Sequence, residues 1–179
     1  MDESLARHVA GTYARHDPDP SNREAAQLTR EPKPMRDPGT AQWDVEISAD
    51  DFNKLKLGFM AQEMEDKWVI AATGPDESGV ISIRIIRSWL NMPIYVLHIR
   101  PAGDSGGARI ESFTWEKALG EHGEFRVLER QAKKEAVILC RIHTDCKLEQ
   151  LPGYNPNIFW KRDSDDEDEE SKKVKDTSA

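Results

Sequence analysis

At 179 residues the chain has room for one domain of ordinary size, or a smaller one with long tails, and two independent cores are not expected. With 37% hydrophobic and 32% charged residues, part of that length must stay in water. A formal charge of -8 with no basic stretch between Trp43 and Trp160 argues against tight, nonspecific binding to nucleic acid, an affinity that comes from neutralising phosphates with Lys and Arg.

The first 42 residues mix charges with Asp17-Pro18-Asp19-Pro20 and Glu31-Pro32-Lys33-Pro34, where proline removes backbone donors and disfavours helix in the residue before it. Residues 1–42 therefore read as a disordered arm. Its one local element is a short helix from Ala25 to Thr29, started by the capping-box spacing of Ser21 and Glu24. The acidic start, Met1-Asp2-Glu3-Ser4, is not that of a signal peptide, and no apolar run approaches the ~20 residues that cross a bilayer.

Trp43 to Ile47 alternates apolar with acidic residues, the period of a half-buried strand. Ser48 can cap a helix through Phe52, Leu55 and Leu57, with Asp51 at the capping-box position and Gly58 as the stop. Three strand-like runs follow, Lys67 to Thr73, Val80 to Arg87 and Ile94 to Arg100, separated by turn-forming residues. Arg109 to Trp115 adds a fourth after a loop from Pro101 to Gly107. In the second run, Ile81, Ile83, Ile85 and Arg87 form the more apolar set, so that set is expected to face the core.

From Phe125 to Lys147, Leu128, Ala132, Ala136, Leu139, Ile142 and His143 recur at three- and four-residue intervals, predicting one long C-terminal helix, with a strand from Ala136 to Ile142 as the rival. The fold expected is α+β: an antiparallel β-meander of three to five strands covered by one long C-terminal helix. It occupies residues 43–151. Residues 152–179, with the acidic block Asp163 to Glu170, read as a disordered acidic tail, and Ser164 lies in the context an acidophilic kinase prefers.

The chemistry-bearing motifs are few. Asp66-Lys67-Trp68 and Arg87-Ser88-Trp89 stand at the start of one strand and the end of its hairpin partner, which antiparallel pairing brings side by side. With Tyr95 they form a candidate ligand-binding set: Arg87 can fork an anion, Asp66 can orient it, and a tryptophan can stack on a planar ring. The competing reading makes Asp66 and Arg87 a cross-strand ion pair and the tryptophans core. Glu63, Glu65 and Asp66 suggest a metal only if further oxygen ligands join them, and the sequence supplies none. Cys140, His143 and Cys146 have zinc-type side chains, but on a continuous helix the outer cysteines diverge too far to share one ion or form a disulfide. No metal and no cofactor is expected. Two cysteines in a chain of this size fit a reducing compartment, cytoplasmic or nuclear.

The ordered set Leu57-Gly58-Phe59, Met64-Glu65-Asp66-Lys67-Trp68, Arg87-Ser88-Trp89 and Ile94-Tyr95 resembles a family of small, poorly characterised, mainly bacterial proteins. In that family a Gly-Phe precedes Asp-Lys-Trp, and Arg-Ser-Trp-Thr-Gly leads into Ile-Tyr. This chain has Leu90-Asn91-Met92-Pro93 where the family has Thr-Gly. Some relatives sit beside ADP-ribose-processing domains, so the resemblance implies a nucleotide-related context. The leading expectation is a small binding or accessory module whose contact face surrounds Trp68, Arg87 and Trp89, with a protein or an anionic, nucleotide-like molecule as partner. An enzyme acting on a nucleotide-like or ADP-ribosyl substrate is the first alternative, and a purely structural subunit the second.

Overall fold

The computed structural model describes residues 25–154. Ser21, the rest of the first 24 residues, and the tail from residue 155, with Ser164 and the acidic block, lie outside the described residues.

The expected α+β architecture is present. Strands β1 (Pro38–Ile47), β2 (Trp68–Thr73), β3 (Ile81–Arg87), β4 (Met92–Pro101) and β5 (Ala108–Glu116) form one antiparallel sheet in the order β1-β5-β4-β3-β2. Helix α1 (Ala49–Leu57) joins β1 to the meander. A small hairpin, β6 (Ala118–Leu119) with β7 (Phe125–Arg126), precedes helix α2 (Glu129–Thr144). Among the described residues no helix is long and apolar enough to cross a membrane.

Alternation builds the core. Ile83 and Ile85 of β3, Tyr95, Leu97 and Ile99 of β4, and Ile110, Phe113 and Trp115 of β5 share a cluster with Ala132, Ala136, Leu139 and Cys140 of α2. Aromatic rings form a row within it, Trp68 on Tyr95 at 6.4 Å, Tyr95 on Phe113 at 6.0 Å and Phe113 on Trp115 at 5.9 Å between centroids. The other face of the sheet carries a hydrogen-bonded polar row: Ser82 Oγ to His98 Nδ1 (3.3 Å), His98 Nε2 to Thr114 Oγ1 (2.9 Å), and Thr114 Oγ1 to Thr40 Oγ1 (3.2 Å).

Helix α1 starts and stops where its caps require. Ser48 Oγ accepts from Asp51 N at 3.1 Å, and Gly58 adopts φ 66°, where a Cβ would lie 2.0 Å from the Ile70 carbonyl oxygen. Asp51, however, does not complete a capping box. Its buried carboxylate accepts Lys147 N and Leu148 N at 2.8 Å each, tying α1 to the chain beyond α2.

The expected helix from Phe125 to Lys147 is shorter at both ends. Phe125 pairs with Leu119 in the small hairpin and Leu128 is exposed, so neither joins the buried stripe. At the other end Asp145 turns into the left-handed region (φ 64°) and ends the helix. Cys146 is therefore off the helix and near enough to add to the burial that raises the Cys140 thiol, which corrects the divergence expected on a continuous helix. Both are buried free thiols.

The boundary at residue 43 also needs correction. Strand β1 begins at Pro38, and Glu116, fully buried, accepts the backbone N–H groups of Arg36 (2.6 Å), Asp37 (3.0 Å) and Ala118 (3.1 Å). The Arg36 guanidinium donates to the carbonyls of Ala118, Gly120 and Glu121. Upstream, Ala26 and Leu28 pack against Val69, Ala71 and Ile86 on the back of the β2–β3 hairpin, without the short helix that was expected. Pro32, Pro34 and Pro38 disfavour helix further along, and an edge strand tolerates Pro38 at its start. At the far end Arg141 holds the carbonyls of Lys147, Leu148, Leu151 and Pro152, and its guanidinium lies over the Tyr154 ring.

Candidate functional site

The hairpin that carries Asp66, Lys67, Trp68, Arg87, Ser88, Trp89 and Tyr95 pairs Trp68 with Arg87 and Val69 with Ile86. A strand's successive side chains point to opposite faces, so these residues separate into two groups. Trp68, Arg87 and Tyr95 lie on the side covered by α2. Asp66, Ser88 and Trp89 gather at the turn.

On the covered side, Trp68 is 4% exposed and the half-buried Arg87 lies over its ring, 5.1 Å from the centroid. Tyr95, fully buried, donates its hydroxyl to Glu135 of α2. Burial pushes the Glu135 carboxyl above its ordinary range, while the Tyr95 hydrogen bond and the Arg87 charge oppose that shift. Burial likewise lowers the proton affinity of Arg87, against the pull of Glu135. Sequence reasoning missed Glu135. Its signal is an acid flanking the apolar stripe between Ala132 and Ala136.

The carboxyl whose charge acts on Arg87 is that of Glu135, while Asp66 is engaged within its own turn, which corrects the cross-strand pair considered as the structural alternative. Asp66 is buried, and its Oδ2 accepts Gln62 N (2.9 Å) and Glu63 N (3.1 Å), closing the tight turn before β2. Ser88 joins the two motifs through backbone: its Oγ donates to the Asp66 carbonyl at 2.8 Å and its N–H to the Lys67 carbonyl at 2.9 Å. Glu63 and Glu65 are exposed, so the three adjacent acids do not converge. No group of three or more His, Cys, Asp or Glu side chains among the described residues is placed to hold a metal ion.

The turn carries an opening of its own. Arg30, Ala61, Gln62, Glu63, Met64, Asp66, Ser88 and Trp89 line a shallow cleft of about 350 Å³. Trp89 is 66% exposed beside Met64 (73%) and Leu90 (53%), yet its Nε1 donates to the Met64 carbonyl at 3.3 Å. Asn91, at φ 47°, donates its side-chain amide to the Glu31 carbonyl and accepts Lys33 N, so residues 31–33 brace the turn from behind.

The fold and this turn define an α+β domain with a polar row along one sheet face and one exposed aromatic tip. Compared with protein-family models, with curated proteins and with solved structures, the chain matches none.

Proposed function

We propose that the chain is a binding module whose protein partner contacts the tip of the β3–β4 hairpin. The observation that carries this reading is Trp89, two-thirds exposed and held in place by its hydrogen bond to Met64. Interface energy concentrates in aromatic anchors that need little ordering on binding, and an indole fixed in advance meets that requirement. Met64 and Leu90 extend the apolar surface, and the cleft beside it offers room for a partner side chain. The centre of the contact is therefore Trp89, with Trp68 beneath α2 as support.

An enzymatic site built from Asp66, Lys67, Arg87, Ser88 and Tyr95 requires those side chains to meet in one accessible pocket, and of the five only Asp66 and Ser88 line the cleft. A photo-crosslinking amino acid introduced at Leu90 tests the binding reading in cells. A discrete protein adduct that disappears on Trp89→Ala, with the circular dichroism spectrum unchanged, is expected. Adducts indifferent to Trp89→Ala overturn it.

A further inference from the structure

The Trp68–Arg87 register pair presents two kinds of donor without protein acceptors. Trp68 Nε1 is buried and has no hydrogen-bond partner among the described residues, and the residue is 96% buried (4% exposed). An indole nitrogen can only donate, so nothing but an acceptor satisfies it. The Arg87 guanidinium, over the same ring, makes no hydrogen bond or ion pair among the described residues. A buried donor is nearly always matched, and here the unmatched indole N–H belongs to the ring that the half-buried Arg87 guanidinium covers.

The neighbouring acceptor is already engaged. Glu135 takes the Tyr95 hydroxyl, and it acts on Arg87 through charge and not through a hydrogen bond. We infer that Trp68 Nε1 and the Arg87 guanidinium together bind the carboxylate group of a small monoanionic ligand. The planar fork of arginine matches a carboxylate in two bonds, leaving a lone pair for the indole N–H. Glu135 sets the charge limit, because each added negative charge on the ligand increases its repulsion from that carboxyl, disfavouring a phosphate dianion. Trp68 Nε1 is closed to solvent while Arg87 is half-buried, so binding requires the Arg87 side chain to swing aside and admit the carboxylate. This site is independent of the Trp89 surface.

A carboxylate of this kind belongs either to a free organic acid or to the C-terminus of a peptide. Indole N–H resonances of the full-length ¹⁵N-labelled protein separate these sources, with Trp68 assigned through Trp68→Phe. Sodium acetate, inorganic phosphate, and a short peptide with a free or an amidated C-terminus are titrated at constant ionic strength. A saturable shift of the Trp68 resonance with acetate, and not with phosphate, is expected. The same response to the free-carboxylate peptide but not to its amide assigns a peptide terminus, and a response to acetate alone assigns a small acid. Arg87→Lys, which keeps the charge but loses the fork, should weaken the response about tenfold, while the remaining indole resonances keep their dispersion and report an intact fold. Shifts that do not saturate, that are equal for acetate and phosphate, or that survive Arg87→Lys unchanged overturn the inference.

Discussion

The Arg87 guanidinium lies over the Trp68 ring, 5.1 Å from its centroid, on the residue that faces it across the β2–β3 ladder. Stacking of this kind in a half-desolvated place contributes roughly 0.5–2 kcal/mol, and the arginine stem covers indole that would otherwise meet water. Arg87→Ala should lower unfolding stability by about 1–2 kcal/mol, read as an earlier urea midpoint by tryptophan fluorescence. A midpoint equal to wild type would show that the stack adds nothing.

Asp51 is a second joint, in which one buried carboxylate accepts two backbone donors from beyond α2. Hydrogen bonds to a charged group contribute about 1.5–3 kcal/mol each when the donors would otherwise be stranded. Asp51→Ala should therefore cost about 2–4 kcal/mol, with Asp51→Asn between it and wild type. Hydrogen exchange at Lys147 and Leu148 should quicken in the same order.

Residues 36 and 37 complete the buried Glu116 site, so trimming the chain to residue 43 strands a carboxylate and removes half of β1. A fragment of residues 25–154 should unfold cooperatively, whereas one of residues 43–154 should not. Near-ultraviolet circular dichroism during urea unfolding distinguishes them, and a sharp transition in the shorter fragment would place the boundary back at Trp43.

Glu135 sets a pH dependence whose sign follows from burial. Its folded proton affinity is raised above the ordinary value of 4.5, so the folded chain binds that proton more tightly than the unfolded chain. Its contribution is fully favourable below the unfolded value and is lost as pH rises through the higher folded one. Glu135→Gln keeps an oxygen for Tyr95 and removes the titration. The stability difference in favour of Glu135→Gln should thus widen as pH rises above 4.5 and then level off, as measured by urea unfolding from pH 4 to 8.

Burial holds the Cys140 thiol well above the ordinary range and pushes Cys146 up to about 12. The thiolate is the reactive form, so neither should react with a disulfide reagent at pH 8 in the folded protein. Both should react after unfolding in urea. Fast labelling of either thiol in the native state would contradict their burial.

Periodicity made the meander and its covering helix readable before any coordinates, because Ile83 and Ile85 on one side and Ala132, Ala136 and Leu139 on the other declare their faces by spacing alone. The ends of elements were less legible. Asp145 ends α2 through a left-handed conformation that a sequence does not announce, and Pro38 begins an edge strand, a place where proline is tolerated and local reading favours disorder. Of the candidate site, the Trp68–Arg87 juxtaposition followed from hairpin pairing, as expected. The separation of Trp89 from Trp68 follows from the turn after Arg87, and Glu135 arrives from an element forty-eight positions away, which no local motif could disclose.

The polar row from Ser82 through His98 and Thr114 to Thr40 acts on alignment in a way that the oily side cannot. Slipping β3 by two positions against β4 keeps Ile81, Ile83 and Ile85 on the core face, so their pattern barely distinguishes the slipped sheet from the correct one. The same slip sets Arg84 or Val80 where Ser82 meets His98, and on β5 and β1 it parts the two threonines. The water-facing surface thus works as a vernier: hydrophobic burial decides which side of each strand turns inward, and this line of hydroxyls and one imidazole selects among the alignments that burial leaves equivalent.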